Sequence, residues 1–282
     1  MSFETYETSR ARGGPQQLYL FRVGADYYCY TDAERQIVHQ VDGDTVARTF
    51  VPLPIDRGKI VSSGSADKVT LSVNMPKSTP VAELFRIFPP SDIVWLTIFI
   101  GHDSDPDIEF MAIWSGRVLS GIHEGSKASL QCEPVTTSIK RPGLRRRYQY
   151  GCPHPLYGRS CGVDRTAFTV TATVASVSGY QVGFSSGWEG AFTKAHFANG
   201  LFDFVITGSR HAKRTILQVN TTTNVLTISG AIPDLVVGST VSLSLGCDHQ
   251  MTGCNSFGNI QNFGGQPWIP LKSPLGFTNK FY

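Results

Sequence analysis

Four of the six cysteines fall into two pairs, and their spacing limits the fold more than any other feature. Eight residues separate Cys152 from Cys161, six separate Cys247 from Cys254, and eighty-five lie between the pairs. The stretch 166–245 between them reads as strands. Thr169-Val170-Thr171-Ala172-Thr173-Val174, Val225-Leu226-Thr227-Ile228 and Val241-Ser242-Leu243-Ser244-Leu245 alternate apolar and polar residues, as half-buried strands do. Ser178-Gly179, Ser186-Gly187 and Asn199-Gly200 supply turns, a pattern that predicts a small sandwich or barrel. Cys161 stands just before this module and Cys247 just after it. Because the two ends of a domain usually lie close together, the pairs are expected to meet in a four-thiolate site that clamps the module's ends.

The spacing also bears on what such a site would hold. Structural zinc favours knuckles with two to four residues between paired cysteines. Intervals of eight and six, containing Pro153, Pro155, Gly158 and Gly253, splay the sulfurs and suit a multi-iron cluster better than one ion. Zinc, two disulfides and four unliganded thiols stay open on spacing alone. A short helix over 255–262 would turn its N-terminal amides toward the thiolates. Arg159 and Arg165 would offset negative charge, and His154 and His249 would serve as replacement ligands or as donors to sulfur. Cys29, among tyrosines, and Cys132, closing a strand, read as buried packing residues.

Upstream, residues 1–138 read as one β-rich domain. Leu18 to Val23 and Tyr27 to Tyr30 flank Gly24-Ala25-Asp26 as a hairpin. Runs 69–73, 94–100, 110–114, 117–122 and 128–132 read as further strands. Thr79 as cap and Pro80 at the first position predict a helix over 81–88, stopped by Pro89-Pro90. The remainder divides into 139–165, a basic linker with the first cysteine pair, the inserted β module 166–245, and 246–282, the second pair with an extended tail.

Composition narrows the function. With 282 residues about two domains are expected, and 41 % hydrophobic residues exclude a disordered chain. Charged residues make up 17 % against about 25 % in typical soluble domains, which suits a subunit covered by partners. The apolar run 93–100 is too short to span a bilayer. The polar first fourteen residues carry no secretory signal, which predicts a reducing compartment, where disulfides are rare. A net charge of +3 does not point to nucleic acid. Only Lys140, Arg141, Arg145, Arg146 and Arg147, followed by Tyr148 and Tyr150, suggest phosphate and base contacts, and a linker explains them as well. No stable nucleic-acid partner is expected. Asp103, Asp105, Asp107 and Glu109 cluster, but in a turn, and lack the pattern of an EF-hand. No enzyme activity is expected. Tyr180, Phe184 and Trp188 would form the stacking platform of the alternative reading, a carbohydrate-binding or cell-wall-acting β protein with a structural zinc site.

The segment beginning at Tyr150, Tyr-Gly-Cys-Pro-His-Pro-Leu-Tyr-Gly-Arg-Ser-Cys-Gly-Val-Asp, is joined by a second one that begins at Gly246. This reads Gly-Cys-Asp-His-Gln-Met-Thr-Gly-Cys-Asn-Ser-Phe-Gly-Asn-Ile-Gln-Asn-Phe-Gly-Gly-Gln-Pro-Trp-Ile-Pro. Together they resemble the tail-tip (baseplate) hub proteins shared by long-tailed phages and gene transfer agents, and more distantly the tail tip protein L family of lambda-like phages. Ser91-Asp-Ile-Val-Trp and Trp114-Ser-Gly-Arg-Val-Leu-Ser-Gly extend the resemblance over the N-terminal half. The resemblance implies a mainly β virion protein with a β-barrel-like N-terminal hub domain, assembled in the bacterial host cytoplasm. It further implies a homotrimeric ring between the distal tail or tail tube and the central fibre or receptor-binding tip, in contact with the tape measure protein. Finally, it implies a [4Fe-4S] cluster on Cys152, Cys161, Cys247 and Cys254, with Cys29 and Cys132 outside the ligand set.

Overall fold

Strand β1 (Pro15–Val23) is bulky on both faces, and this sets the layering around it. Tyr19, Phe21 and Val23 enter one core, whereas Leu18 enters a second with Ala33, Ile37, Phe50 and Phe99. The computed structural model describes residues 3–9, 13–41, 44–60, 70–87, 89–103, 105–140, 143, 148–207 and 210–269. The chain is mainly β and divides into two compact units, Met1–Arg141 with Ile206–His211, and Pro142–Val205 with Ala212–Tyr282.

In the first unit β1 is followed by β2 (Asp26–Thr31), β3 (Ile37–His39), β4 (Arg48–Pro52), β5 (Asp56–Arg57) and β6 (Leu71–Pro76). After these come β7 (Val94–His102), β8 (Met111–Glu124) and β9 (Lys127–Pro134). They form one nine-stranded sheet in the order β3-β4-β2-β1-β7-β8-β9-β6-β5. The expected hairpin is β1–β2, with Val23 opposite Asp26.

The sheet must curl. From Pro52 to Asp56 the chain covers at most about 14 Å, yet β4 and β5 stand seven places apart in the sheet order. In a flat sheet that separation would be roughly 34 Å at about 4.8 Å per strand. Consistent with curling, Arg57 Nε on β5 donates to Gln17 Oε1 on β1 at 2.5 Å, and Leu53 N donates to Thr31 O at 2.9 Å. The enclosed core holds Leu71, Val73, Met75, Leu96, Ile98, Trp114 and Leu130.

The structure departs from the sequence reading at several places. Runs 110–114 and 117–122 belong to one long strand, β8, which absorbs register shifts at Ile98/Phe99 and Val118/Ser120. The helix α2 is only Pro80–Glu83, and the Thr79 side chain makes no cap bond. Thr79 is buried among apolar groups with its hydroxyl unpaired, so the turn is held by packing of Val81, Ala82 and Phe85. A short helix α1 (Phe3–Glu7) appears in the polar N-terminal stretch. It is held by Glu7 Oε2, 2.9 Å from His102 Nε2, and by Phe3, whose ring centroid is 5.3 Å from that of His102. Val69 lies outside the described residues.

Apart from the strand ends at 206–207 and 210–211, which group with the first unit, it is in the second unit that β10 (Thr169–Ser178), β11 (Gln181–Phe184), β12 (Leu201–Thr207), β13 (Arg210–Asn220), β14 (Val225–Ile228) and β15 (Thr240–Ser244) close a barrel in the order β10-β11-β14-β13-β12-β15. Phe197, Phe202, Ile216, Leu226 and Leu243 fill it. After it come α3 (Met251–Ser256) and a 3-10 turn, Ile260–Asn262. Of the tail expected to run extended, residues from 270 onward lie outside the described residues. Among the described residues no helix is long and apolar enough to cross a membrane.

Candidate metal centre

The first and last barrel strands are antiparallel neighbours, with Thr169 opposite Ser244. The chain therefore enters and leaves the barrel at one end, and Cys161 and Cys247 are carried there together. Leu245 N donates to Phe168 O at 3.0 Å and the Tyr157 hydroxyl to Leu245 O at 2.9 Å, fastening the first cysteine loop to the barrel exit. Gly246 is required at that exit. A Cβ there would stand 1.8 Å from Ala198 O, a distance no side chain tolerates.

Beyond Gly246 the two cysteine segments interlock at two points. At the first, Cys152 N donates to His249 O at 2.8 Å, His249 Nδ1 lies 2.9 Å from Cys152 O, and His249 N donates to Cys247 Sγ at 3.3 Å. His249 adopts φ +59° to do this. At the second, Asn259 Nδ2 donates to Cys161 O at 2.7 Å and lies 3.6 Å from Cys161 Sγ, while the Cys254 thiol donates to Asn259 O at 3.1 Å. Asn262 Nδ2 holds the Asn259 amide by its oxygen at 2.7 Å. Gly264 N adds a donor to Cys152 Sγ at 3.4 Å. The buried His154 ring occupies the space that a side chain on residue 264 would need.

All six cysteines are unpaired in this structure. Cys161 and Cys254 are buried, and Cys152 and Cys247 are half-buried. Burial pushes the Cys254 thiol up, and so do the negative charges that Cys152, Cys247 and Cys161 would carry. Cys247 is likewise raised, by burial first and then by Asp248, Cys161 and Cys152, against the opposing His249 N–H. Burial raises Tyr157 to about 12. The four sulfurs thus lie within one another's field, and four thiolates there need a cationic centre. Among the described residues no three His, Cys, Asp or Glu side chains are gathered closely enough to grip a single metal ion. A donor set of four cysteine sulfurs with N–H groups aimed at three of them is one that an iron–sulfur cluster or a zinc ion takes.

Other expectations meet different outcomes. Arg165 turns to the barrel, donating from Nη2 to Asp203 Oδ2 at 2.8 Å and from Nε to Ser244 Oγ at 3.0 Å, so it does not face the sulfurs. Arg159 is exposed. The helix expected after Cys254 instead contains Cys254 as its fourth residue, because the chain begins to coil at Met251, and no helical N-terminus faces that thiol. Cys132 is buried and Cys29 half-buried, both in the first unit. Phe184 and Trp188 are buried, their ring centroids 5.3 Å apart, and Trp188 also packs on Phe197 at 4.8 Å. Only Tyr180 of the supposed sugar platform is exposed. Asp105 is buried and accepts from Asp107 N at 3.1 Å and Glu109 N at 3.4 Å, so the acidic cluster builds its own turn. Residues 141, 142 and 144–147 of the basic stretch lie outside the described residues.

Asn259 and Gly264 escaped sequence reasoning. Neither is a metal-ligand type, and the only available signal was their position within ten residues after Cys254.

In fold the chain is similar to a chain of the structure described as "Virion of native gene transfer agent (GTA) particle". It superposes with a TM-score of 0.76 over 98 % of this chain and 97 % of that one, at 17 % identity. Residues 195–273 match the family described as "Phage conserved hypothetical protein BR0599", a span that includes Cys247 and Cys254 but not the first pair. A protein of Xylella fastidiosa (strain 9a5c), described as uncharacterized, is 23 % identical over a 189-residue alignment that covers 62 % of this chain. The matched region makes up 38 % of that relative's length.

Proposed function

We propose that this chain is a structural protein of a phage-type virion, the hub of the tail tip or baseplate. In this reading Cys152, Cys161, Cys247 and Cys254 hold a [4Fe-4S] cluster that staples the second unit. The observation that carries the reading is the joining of one cysteine from each pair at His249 and another from each pair at Asn259, at the end of a barrel. The fold-level likeness to a chain of a gene transfer agent virion over 98 % of the sequence supports the virion role, as does the match of 195–273 to a phage family. The cluster supplies metal–ligand bonds formed on folding, which stabilise loops too short of apolar area to hold themselves. We read the chain as a building block rather than an enzyme, repeated in a closed ring, for which a homotrimer is our expectation. Tail tube, tape measure and receptor-binding tip proteins are its proposed neighbours.

The test is to purify particles from the bacterium that carries the gene and to locate an epitope-tagged copy by immunogold microscopy. Label at the distal end of tails supports the reading. Particles that lack the protein, or normal infectious tails built with a Cys247→Ser chain, overturn it.

A further inference from the structure

The two interlocks differ in depth and in the kind of bond they make. Asn259 joins the two buried cysteines: its side-chain amide reaches Cys161 Sγ and O, and its carbonyl meets Cys254. His249 joins the two half-buried ones through its backbone N–H, its carbonyl and its imidazole. A cavity of about 630 Å³ also opens beside Cys247, between Phe168, Phe257 and Asp248. The His249 side is therefore the one that water and chelators reach.

Resting on the cluster reading above, we propose that Asn259 and His249 are the positioning residues of the cluster. Asn259 sets its reduction potential through the amide on Cys161, and His249 sets its rate of loss to solvent by latching Cys152 to the second segment. An N–H···S bond stabilises the electron-rich sulfur, so it favours the reduced cluster and raises the potential. The Asn259 bond is made by a side chain and can be deleted by substitution. The His249 N–H bond belongs to the backbone and survives any non-proline replacement, whereas the imidazole bond to Cys152 O does not. Glycine accepts the positive φ of residue 249 without strain, so His249→Gly removes the latch alone. His249→Asn keeps a short polar side chain that tolerates the left-handed region.

The experiment uses the full chain purified without oxygen, as wild type, Asn259→Asp, Asn259→Ala, His249→Gly and His249→Asn. Wild-type iron and sulfide are measured first, and a wild type without them ends the cluster reading itself. Redox titration should then give lower midpoint potentials for both Asn259 variants and an unchanged one for His249→Gly. Loss of visible absorbance under an iron chelator should be about tenfold faster for His249→Gly, the low end of the effect known for groups that orient metal ligands. His249→Asn should recover part of the difference. Wild-type potentials in the Asn259 variants, or wild-type loss rates in His249→Gly, overturn the proposal. Should neither Asn259 variant load iron, pulsed EPR of the reduced wild type labelled with 15N-asparagine decides. A nitrogen coupled to the cluster supports the assignment, and its absence refutes it.

Discussion

His249 and Cys152 hold each other by both backbone and side chain. Cys152 N donates to His249 O at 2.8 Å and His249 Nδ1 lies 2.9 Å from Cys152 O, across 97 positions of sequence. Because the acceptor is a carbonyl, Nδ1 is the donor in this contact. The whole barrel lies in the intervening chain, so this pair closes a long loop, alongside the bonds that Tyr157 and Phe168 make to Leu245 at the barrel exit. A loop of that length is entropically costly to close, and ligand bonds across it would offset that cost.

Replacing Cys161 with Ser should therefore loosen the second unit and leave the first alone. Amide hydrogen exchange should quicken around Cys152, Asn259 and the barrel exit at Leu245, while Leu18, Phe21 and Leu96 keep their protection. Uniform loss of protection in both units would contradict the two-unit description.

The pair formed by Arg165 and Asp203 ties the end of the first cysteine loop to β12. Their side chains are 34 % and 8 % exposed. Asp203→Ala should cost about 2–4 kcal/mol in chemical denaturation, less than the about 3–5 kcal/mol of a fully buried pair because Arg165 remains partly hydrated. The effect should be a cooperative loss of barrel stability, and a cost under about 0.5 kcal/mol would show that the pair is ornamental.

Trp188 is a buried residue of the second unit, packed between the tilted rings of Phe184 and Phe197. Trp188→Ala should cost about 3–5 kcal/mol, as large aromatic truncations do. Cell-wall oligosaccharides should leave Trp188 fluorescence unchanged. A saturable fluorescence change would return the sugar-platform reading to consideration.

Burial raises the Cys132 thiol to about 12 and pushes Cys29 upward as well. At pH 8 almost none of Cys132 is thiolate, and thiolate is the form that reacts. In native protein stripped of metal, alkylation followed by mass spectrometry should modify the half-buried Cys152 and Cys247 before Cys132. Equal rates would mean that the first-unit core opens freely.

Arg48 Nε donates to Asp44 Oδ2 at 2.8 Å, and the guanidinium Cζ stands over the Tyr27 ring, 3.4 Å from its centroid. The Arg48 hydrogen bonds, helped by the backbone N–H groups of Val46 and Thr45, hold the Asp44 carboxyl below the usual carboxylate range. A depressed carboxyl stabilises the fold above its unfolded pKa of about 3.9, and that contribution is lost as pH falls through the folded value. Asp44→Asn should lower Tm at pH 7 and lower it by less at pH 2. An equal deficit at both values would show that the pair acts through shape alone.

Alternation identified β6, β10, β14 and β15, because each buries one face more deeply than the other, whereas β1 was read from the turn it shares with β2. It failed for β8, where bulges shift the register and Gly116 and Gly121 interrupt the pattern. It also failed for α2, whose turn is fixed by burial of Val81 and Phe85 rather than by a cap. That the two cysteine pairs meet was legible from spacing, since the barrel between them obeys a general rule about where domain ends lie. The roles of His249 and Asn259 were not. His249 acts largely through its backbone, and Asn259 reaches Cys161 only after the chain has turned back past α3. Arg165 misled for a related reason, because its partner Asp203 lies on a strand that alternation alone did not mark.

Iron, zinc and acid-labile sulfide measured per chain, on protein purified without oxygen, test the account most directly. It predicts about four irons and four sulfides with broad visible absorption. One zinc and no sulfide, or no metal at all with four freely alkylated cysteines, would contradict it.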